Sequence, residues 1–380
     1  MIEKSLAIHR RAFACGAIGV LATGPLFAML NEELNEEMNE DKLGEAARVL
    51  QNATSSGQVR AAVLYARIGQ KVLHQPFGDA KSVDAAFLLG SISKPIAVAA
   101  VMTLVDQGKI GLDDPVRKYV PEFKGDAKDR VTVRHLLTHV SGLPDQLPQN
   151  ANLRKSHAPL SAFVNGTMQV PLHFEPGTKY EYSSMAILLA TEIAQRITGL
   201  EFREFVHTAV LKPLRMVHSA FGSGHLKPED RMPCQVEFGA IESGGGSPDS
   251  SDWDWNSPYW RELGAPWGGA HASAADVGLF LDEFMHPSGK LFRPEIARLM
   301  IRNHNPEGME SRGLGLDVGM VASCPSCSIN TFGHTGSTGT LAWADPERDR
   351  VCVVLTTLPA GTMKNHPRQL ASDCIATIPH

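Results

Sequence analysis

Ser91-Ile92-Ser93-Lys94 sets a hydroxyl and an amine three residues apart, and on a helix that spacing turns both side chains toward one face. An amine within reach of a serine hydroxyl can take its proton and make it a nucleophile toward a carbonyl carbon. The tetrapeptide heads an alanine-rich apolar run, Pro95 to Gln107, which ends at Gly108 and reads as a helix. A helix N-terminus offers unpaired amides and a positive end. These favour a developing oxyanion and push the lysine toward its neutral, basic form. Ser-x-x-Lys occurs once, and a chain of this length supplies about one match by chance. An ordinary helix start, with serine as cap and lysine in water, has the same pattern. Two other hydrolase signatures, Gly-x-Ser-x-Gly and His-Glu-x-x-His, are absent. The rest of the chain must therefore decide what the pair does.

Elements that could position it are legible on both sides. Leu43, Ala46, Ala47 and Leu50 recur at helical spacing from Asp41 to about Asn52. Val59 to Ala66 and Lys71 to Phe77 read as a hairpin turning at Gly69-Gln70. From about Asp113 to Pro287 several helical stretches, notably Val131 to Val140, Ser184 to Thr198 and Phe202 to Leu211, alternate with proline- and glycine-bearing loops. Thr340 to Ala344 and Val351 to Thr356 are strand candidates joined by the turn Asp345 to Arg350, and Pro367 to Thr377 closes the chain as a helix. The expected fold is α/β of the α+β kind: an antiparallel sheet flanked by helices, built from both chain ends, with an inserted all-helical lobe over about 113–287.

The composition is that of an ordinary globular protein, 43% hydrophobic and 20% charged over 380 residues. A net charge of -5 gives no extended basic surface, so nucleic acid is excluded as a partner. Lys4, Arg10 and Arg11 precede the uncharged stretch Ala12 to Leu30, the order of an export signal, and Arg10-Arg11-Ala12-Phe13 resembles a twin-arginine signal. Residues 1–30 are expected to direct export to the periplasm or outside the cell. A retained anchor is the alternative and the only route to a membrane partner, although Gly16, Gly19, Gly24 and Pro25 interrupt the run. Residues 31–40 read as an acidic spacer and 41–380 as one catalytic body. Cys324-Pro325-Ser326-Cys327 has no second Cys-x-x-Cys to complete a zinc site and reads as a structural disulfide or two free thiols.

Phe87-Leu88-Leu89-Gly90-Ser91-Ile92-Ser93-Lys94-Pro95 closely resembles the nucleophile segment of class C β-lactamases, D-alanyl-D-alanine carboxypeptidases and related esterases. Leu136-Leu137-Thr138-His139-Val140-Ser141-Gly142-Leu143, then Pro176-Gly177 with Tyr182-Ser183-Ser184, then His334-Thr335-Gly336, resemble further motifs of that group in the same order, over roughly residues 41 to 375. The resemblance implies Ser91 as acylated nucleophile, Lys94 as its base and Tyr182 as proton relay. It implies that neighbouring positive charge, from Lys94 and His334, lowers the Tyr182 phenol toward a useful pKa. It further implies an oxyanion hole from the amides of Ser91 and Ser337, and a substrate lying along Thr335 and Gly336 like an added strand.

Two positions depart from the pattern. Ser184 stands where the tyrosine motif carries asparagine, and its hydroxyl lacks the amide's paired donor and acceptor, which puts recognition of an acylamide side chain in doubt. Arg215 replaces a glycine in Leu211 to Met216. Trp253, Trp255, Trp260 and Trp267 cluster before Gly268-Gly269 and line either an acyl pocket, with Gly268 and Gly269 at its edge, or a packed aromatic loop. His135 and His139 are four apart, but no third metal ligand is evident, and the chemistry needs neither metal nor organic cofactor. The expected reaction is acyl transfer to water from a small-molecule or peptide substrate. Ester, β-lactam and D-amino-acid peptide are the candidates, and the lost asparagine and the tryptophans favour the ester. A protein that is acylated, or binds, without efficient turnover is the competing class.

Overall fold

Val351, Val353 and Leu355 face one side of their strand while Cys352 and Val354 face the other, and all five are fully buried. A strand buried on both faces must lie inside a sheet covered on both sides. The computed structural model, which describes residues 25–125, 127–319 and 324–379, places it there. In chain order its strands are β1 (Ala61–Ile68), β2 (Lys71–Gly78), β3 (Ala86–Leu88), β4 (Ser219–Phe221), β5 (Arg231–Met232), β6 (Ala270–Ala272), β7 (Asp317–Val318), β8 (Phe332–Gly336), β9 (Thr340–Asp345) and β10 (Arg350–Thr356). The main sheet has the order β2-β1-β10-β9-β8-β7 and is antiparallel throughout. Its strands come from both chain ends, as expected. The hairpin β1–β2 turns at Gly69, whose φ of 55° suits glycine, in the register Ile68 opposite Lys71.

The helices are α1 (Pro25–Ser55), α2 (Ser93–Asp106), α3 (Val133–Leu137), α4 (Asn150–Lys155), α5 (Leu160–Gln169), α6 (Ser184–Thr198), α7 (Phe202–Val206), α8 (Pro258–Leu263), α9 (Ala274–Met285), α10 (Pro294–Met300) and α11 (Pro367–Ala376). α1 and α11 cover one face of the main sheet, packing Leu50 and Ile375 with Leu64, Trp343 and Val354. α9 covers the other face, burying Val277, Phe280 and Phe284 in a core continuous with α2 and α6. α6 has the predicted limits: the Ser183 hydroxyl accepts from Ala186 N–H at its start and Gly199, at φ 71°, ends it.

Three expectations need correction. Residues 31–40 are not a loose spacer but part of α1, since Glu33, Leu34, Glu36, Glu37 and Met38 are good helix formers whatever their charge. The inserted lobe is not all-helical. Its strands β4, β5 and β6 join β3, from before the lobe, in a second, four-stranded sheet of order β4-β6-β3-β5, built from segments of two or three residues, too short for a period-two pattern to show. The lobe also ends before α9, which belongs to the layer on the main sheet. The helix read over 131–140 shrinks to α3, because Thr132 caps it and His139, at φ 59°, turns the chain out of it. Residues 1–24 of the expected export signal lie outside the described residues, and among those described no helix is long and apolar enough to cross a membrane. Cys324 and Cys327 are joined in a disulfide, while Cys234, Cys352 and Cys374 are free.

Candidate active site

Three parts of the chain converge on Ser91. β3 delivers Leu89 to the second sheet, where its N–H meets Ala270 O at 2.8 Å, and the chain then passes through a single turn, Gly90–Ile92, into α2. Gly90 has φ 55°, and a Cβ there would stand 3.2 Å from Ser337 N, so the peptides bearing Ser91 and Ser337 lie side by side. The end of β8 is clamped to this turn: Thr338 and Thr340 hydroxyls donate to Leu88 O and Leu89 O at 2.6 and 2.7 Å. A Cβ on Gly336 would meet Leu89 O at 2.1 Å, which is why the third motif ends in glycine.

Lys94 sits one turn into α2 and is only 1% exposed. Its Nζ donates to Ser91 Oγ at 2.9 Å and to Trp267 O at 2.9 Å, and stands 4.7 Å from the centroid of the Tyr182 ring. Burial, with help from the Arg312 charge and against the pull of Asp145, brings its pKa down to about 7. Such a lysine can lose its proton near physiological pH, and the neutral amine stands within hydrogen-bond reach of a serine hydroxyl.

Tyr182 is placed by the loop before α6. His139 backs its ring at a centroid distance of 4.7 Å and accepts Ser183 N–H on Nδ1, so its left-handed backbone orients the tyrosine motif. His135 caps α3 through Thr132 instead, so the two histidines do not share a site. Tyr182 is buried, and burial raises its pKa despite the nearby Arg312. The expectation of a lowered phenol is thus corrected: desolvation outweighs the positive charge, and Tyr182 stays protonated.

The charge beside it also differs from the expected one. His334 is held neutral by burial and by Arg312 and Lys94. Its Nε2 accepts from Arg312 Nη2 at 2.9 Å, with Tyr182 Oη at 3.5 Å, and its Nδ1–H donates to Thr335 O at 2.7 Å. Arg312, 2% exposed and ion-paired with Asp317, is the cation. Removing one member of a buried pair leaves the other uncompensated, so Asp317→Asn is expected to lose about 3–5 kcal/mol of stability, read as a lower urea midpoint. A loss below about 1 kcal/mol would show that the pair is solvated.

Two clefts meet at Ser91, Tyr182 and Ser337. One, of about 200 Å³, is lined by Asp145, Arg154, Ser184, Trp255, Trp260, Trp267 and Gly268. The other, of about 470 Å³, holds His334, Thr335, Gly336, Arg312 and Arg368. Ser184 donates its hydroxyl to Asp145 Oδ1 at 2.6 Å and its N–H to the same oxygen at 2.9 Å. Gly269 lies behind the first cleft, where a Cβ would meet Ala265 N at 2.4 Å.

The family model for Beta-lactamase matches residues 46–373. The chain belongs to the Beta-lactamase family. This is a family of serine hydrolases. A Salmonella enteritidis protein provisionally named D-alanyl-D-alanine carboxypeptidase is 27% identical over 364 residues, covering 83% of this chain and 82% of its own. The fold is shared with EstCE1, a hydrolase with promiscuous acyltransferase activity, at a TM-score of 0.72 and 20% identity over 89% of this chain and 99% of that one. It is shared too with a penicillin-binding protein homologue from Caulobacter crescentus, at a TM-score of 0.70 and 20% identity over 88% and 96% of the two chains.

Within this Beta-lactamase family chain, sequence reading missed Asp145, Arg154, Arg312 and Arg368. Asp145 stands two residues after Leu143 of the Ser141-Gly142-Leu143 motif, and that proximity was a usable signal. Arg154, Arg312 and Arg368 sit in no motif and reach the clefts only through tertiary packing.

Proposed function

We propose that this protein is a serine esterase acting through an acyl-enzyme. Ser91 Oγ attacks the ester carbonyl carbon as its proton passes to neutral Lys94, forming a tetrahedral intermediate whose oxyanion takes the amides of Ser91 and Ser337. The C–O bond to the alcohol then breaks. The proton moves from Lys94 through the protonated Tyr182 hydroxyl to the leaving alkoxide. Water attacks the acyl carbon by the same path in reverse and releases the carboxylic acid, returning Ser91 to its free form. His334, with both ring nitrogens engaged, is a positioning residue that holds Tyr182 beside Arg312.

The observation that carries this reading is the buried Lys94 amine at 2.9 Å from Ser91 Oγ with its pKa brought to about 7. The preference for an ester rests on the first cleft. Ser184 spends its hydroxyl on Asp145, leaving no paired amide donor and acceptor for an acylamide, and tryptophans form the wall.

The test compares turnover of a short p-nitrophenyl ester, a chromogenic cephalosporin and a D-alanyl-D-alanine peptide. The ester is expected to give a kcat/KM at least about tenfold above either alternative, a gap worth about 1.4 kcal/mol in the transition state. A preference for the peptide or the cephalosporin would overturn the ester assignment. A stable Ser91 adduct without release of product would show an acylated binding protein.

A further inference from the structure

The first cleft is lined by a cation that forms no ion pair among the described residues. Arg154, on α4, is only 4% exposed, yet its one hydrogen bond among the described residues is Nη2–H to Trp253 O at 3.3 Å. Its Nε is buried with no acceptor among the described residues. The guanidinium lies over Trp260, 4.0 Å from the ring centroid, with the Trp253 ring centroid at 5.7 Å. The Trp260 indole N–H, in the same wall, is likewise buried without an acceptor. Burying a donor unpaired costs about 1–3 kcal/mol, more for a charged group, so two such donors on neighbouring side chains mark a place suited to an acceptor that the described residues do not supply. Burial lowers Arg154 only to about 10, which leaves it charged at neutral pH.

The carboxylates of the same cleft do not fill this role. Asp145 Oδ1 is committed to Ser184, and Glu242 is exposed, making no ion pair with Arg154. Asp254, whose charge also reaches Arg154, is turned to the N–H groups of Asn256 and Ser257. An arginine held against indoles is restricted in its motion, and its planar fork can bind a carboxylate through two parallel hydrogen bonds.

We propose that Arg154 and Trp260 form a recognition site for a carboxylate at the far end of the acyl chain, so that the preferred substrates are half-esters of aliphatic dicarboxylic acids. This rests on the reading of Ser91 as the nucleophile in the same cleft.

The test sets mono-p-nitrophenyl adipate against p-nitrophenyl hexanoate, which match in length and differ in the terminal carboxylate. Wild type is expected to favour the adipyl ester by about tenfold or more in kcat/KM, and Arg154→Met to reduce the ratio to about one or below. Arg154→Lys is expected to fall between them, keeping the charge but not the fork. Equal or faster cleavage of the hexanoyl ester by wild type, or an unchanged ratio in Arg154→Met, would overturn the proposal. A second measurement is independent of turnover: adipate, and not hexanoate, should perturb the tryptophan fluorescence of wild type, and Arg154→Met should lose that response. It decides the matter by itself if neither ester is cleaved, which would count against Ser91 and not against Arg154. If the methionine variant does not fold, wild type alone decides, since equal responses to adipate and hexanoate would overturn the site.

Discussion

Ser91→Ala is expected to lower kcat/KM for a short aryl ester by about four orders of magnitude or more and to abolish covalent labelling by a fluorophosphonate. The size of the effect follows from what the alanine removes. Among the described residues Ser91 Oγ is the hydroxyl hydrogen-bonded to the buried Lys94 amine, and Ser91 lines both clefts. Without the oxygen no acyl-enzyme forms, and only the slow attack of water is left, assisted by amide donors. The fold should not suffer, because the hydroxyl is replaced by a methyl group at the head of a helix that needs no cap from it. Intact-mass spectrometry reads the adduct directly. A fluorophosphonate adduct of unchanged yield on the alanine variant would place the nucleophile elsewhere.

Lys94→Met should cost about three orders of magnitude in kcat/KM, the range of a positioned general base. Wild type should show an acid limb in which kcat/KM rises tenfold per pH unit up to about pH 7 and then levels, because Lys94 attacks the serine proton only when neutral. In Lys94→Met that limb should vanish, and its persistence would assign the titration to another group. Stability should move the other way. The folded pKa of about 7 lies below the ordinary 10.5, so the unfolded chain binds the proton more tightly. Lysine therefore destabilises the fold fully below about pH 7, and the penalty fades as pH rises toward 10.5. Methionine keeps the stem and removes the charge. It should raise Tm at pH 6 and gain progressively less above pH 7, even after allowing for the donor that Trp267 O loses. A base that weakens the fold in order to stay reactive is the usual compromise at a catalytic site.

Arg312 shows why the electrostatics of the site were misread from sequence. Thr335, Gly336 and the histidine before them were visible as a motif, and His334 was the natural source of positive charge near Tyr182. A histidine inside a sheet loses its charge to burial, and the cation comes instead from a residue with no motif around it, pinned by Asp317 from the neighbouring strand β7. The phenol's pKa was misjudged for the same reason: charge can be counted in a sequence, whereas desolvation depends on what packs around the group.

The order of the motifs was legible through the family resemblance; legible without it were the helix headed by Ser91 and Lys94, the hairpin, the paired strands β9 and β10, and hence a sheet assembled from both chain ends. These follow from periodicity and turn chemistry, which act over a few residues and can be read locally. Tertiary structure alone decided the second small sheet, the ion pair that charges the site, the neutral state of His334, the binding of Ser184 to Asp145, and the arrival of Arg154 against two tryptophans. Most of these join residues far apart in the chain, the Arg312–Asp317 pair excepted, and each depends on burial, which no local pattern encodes.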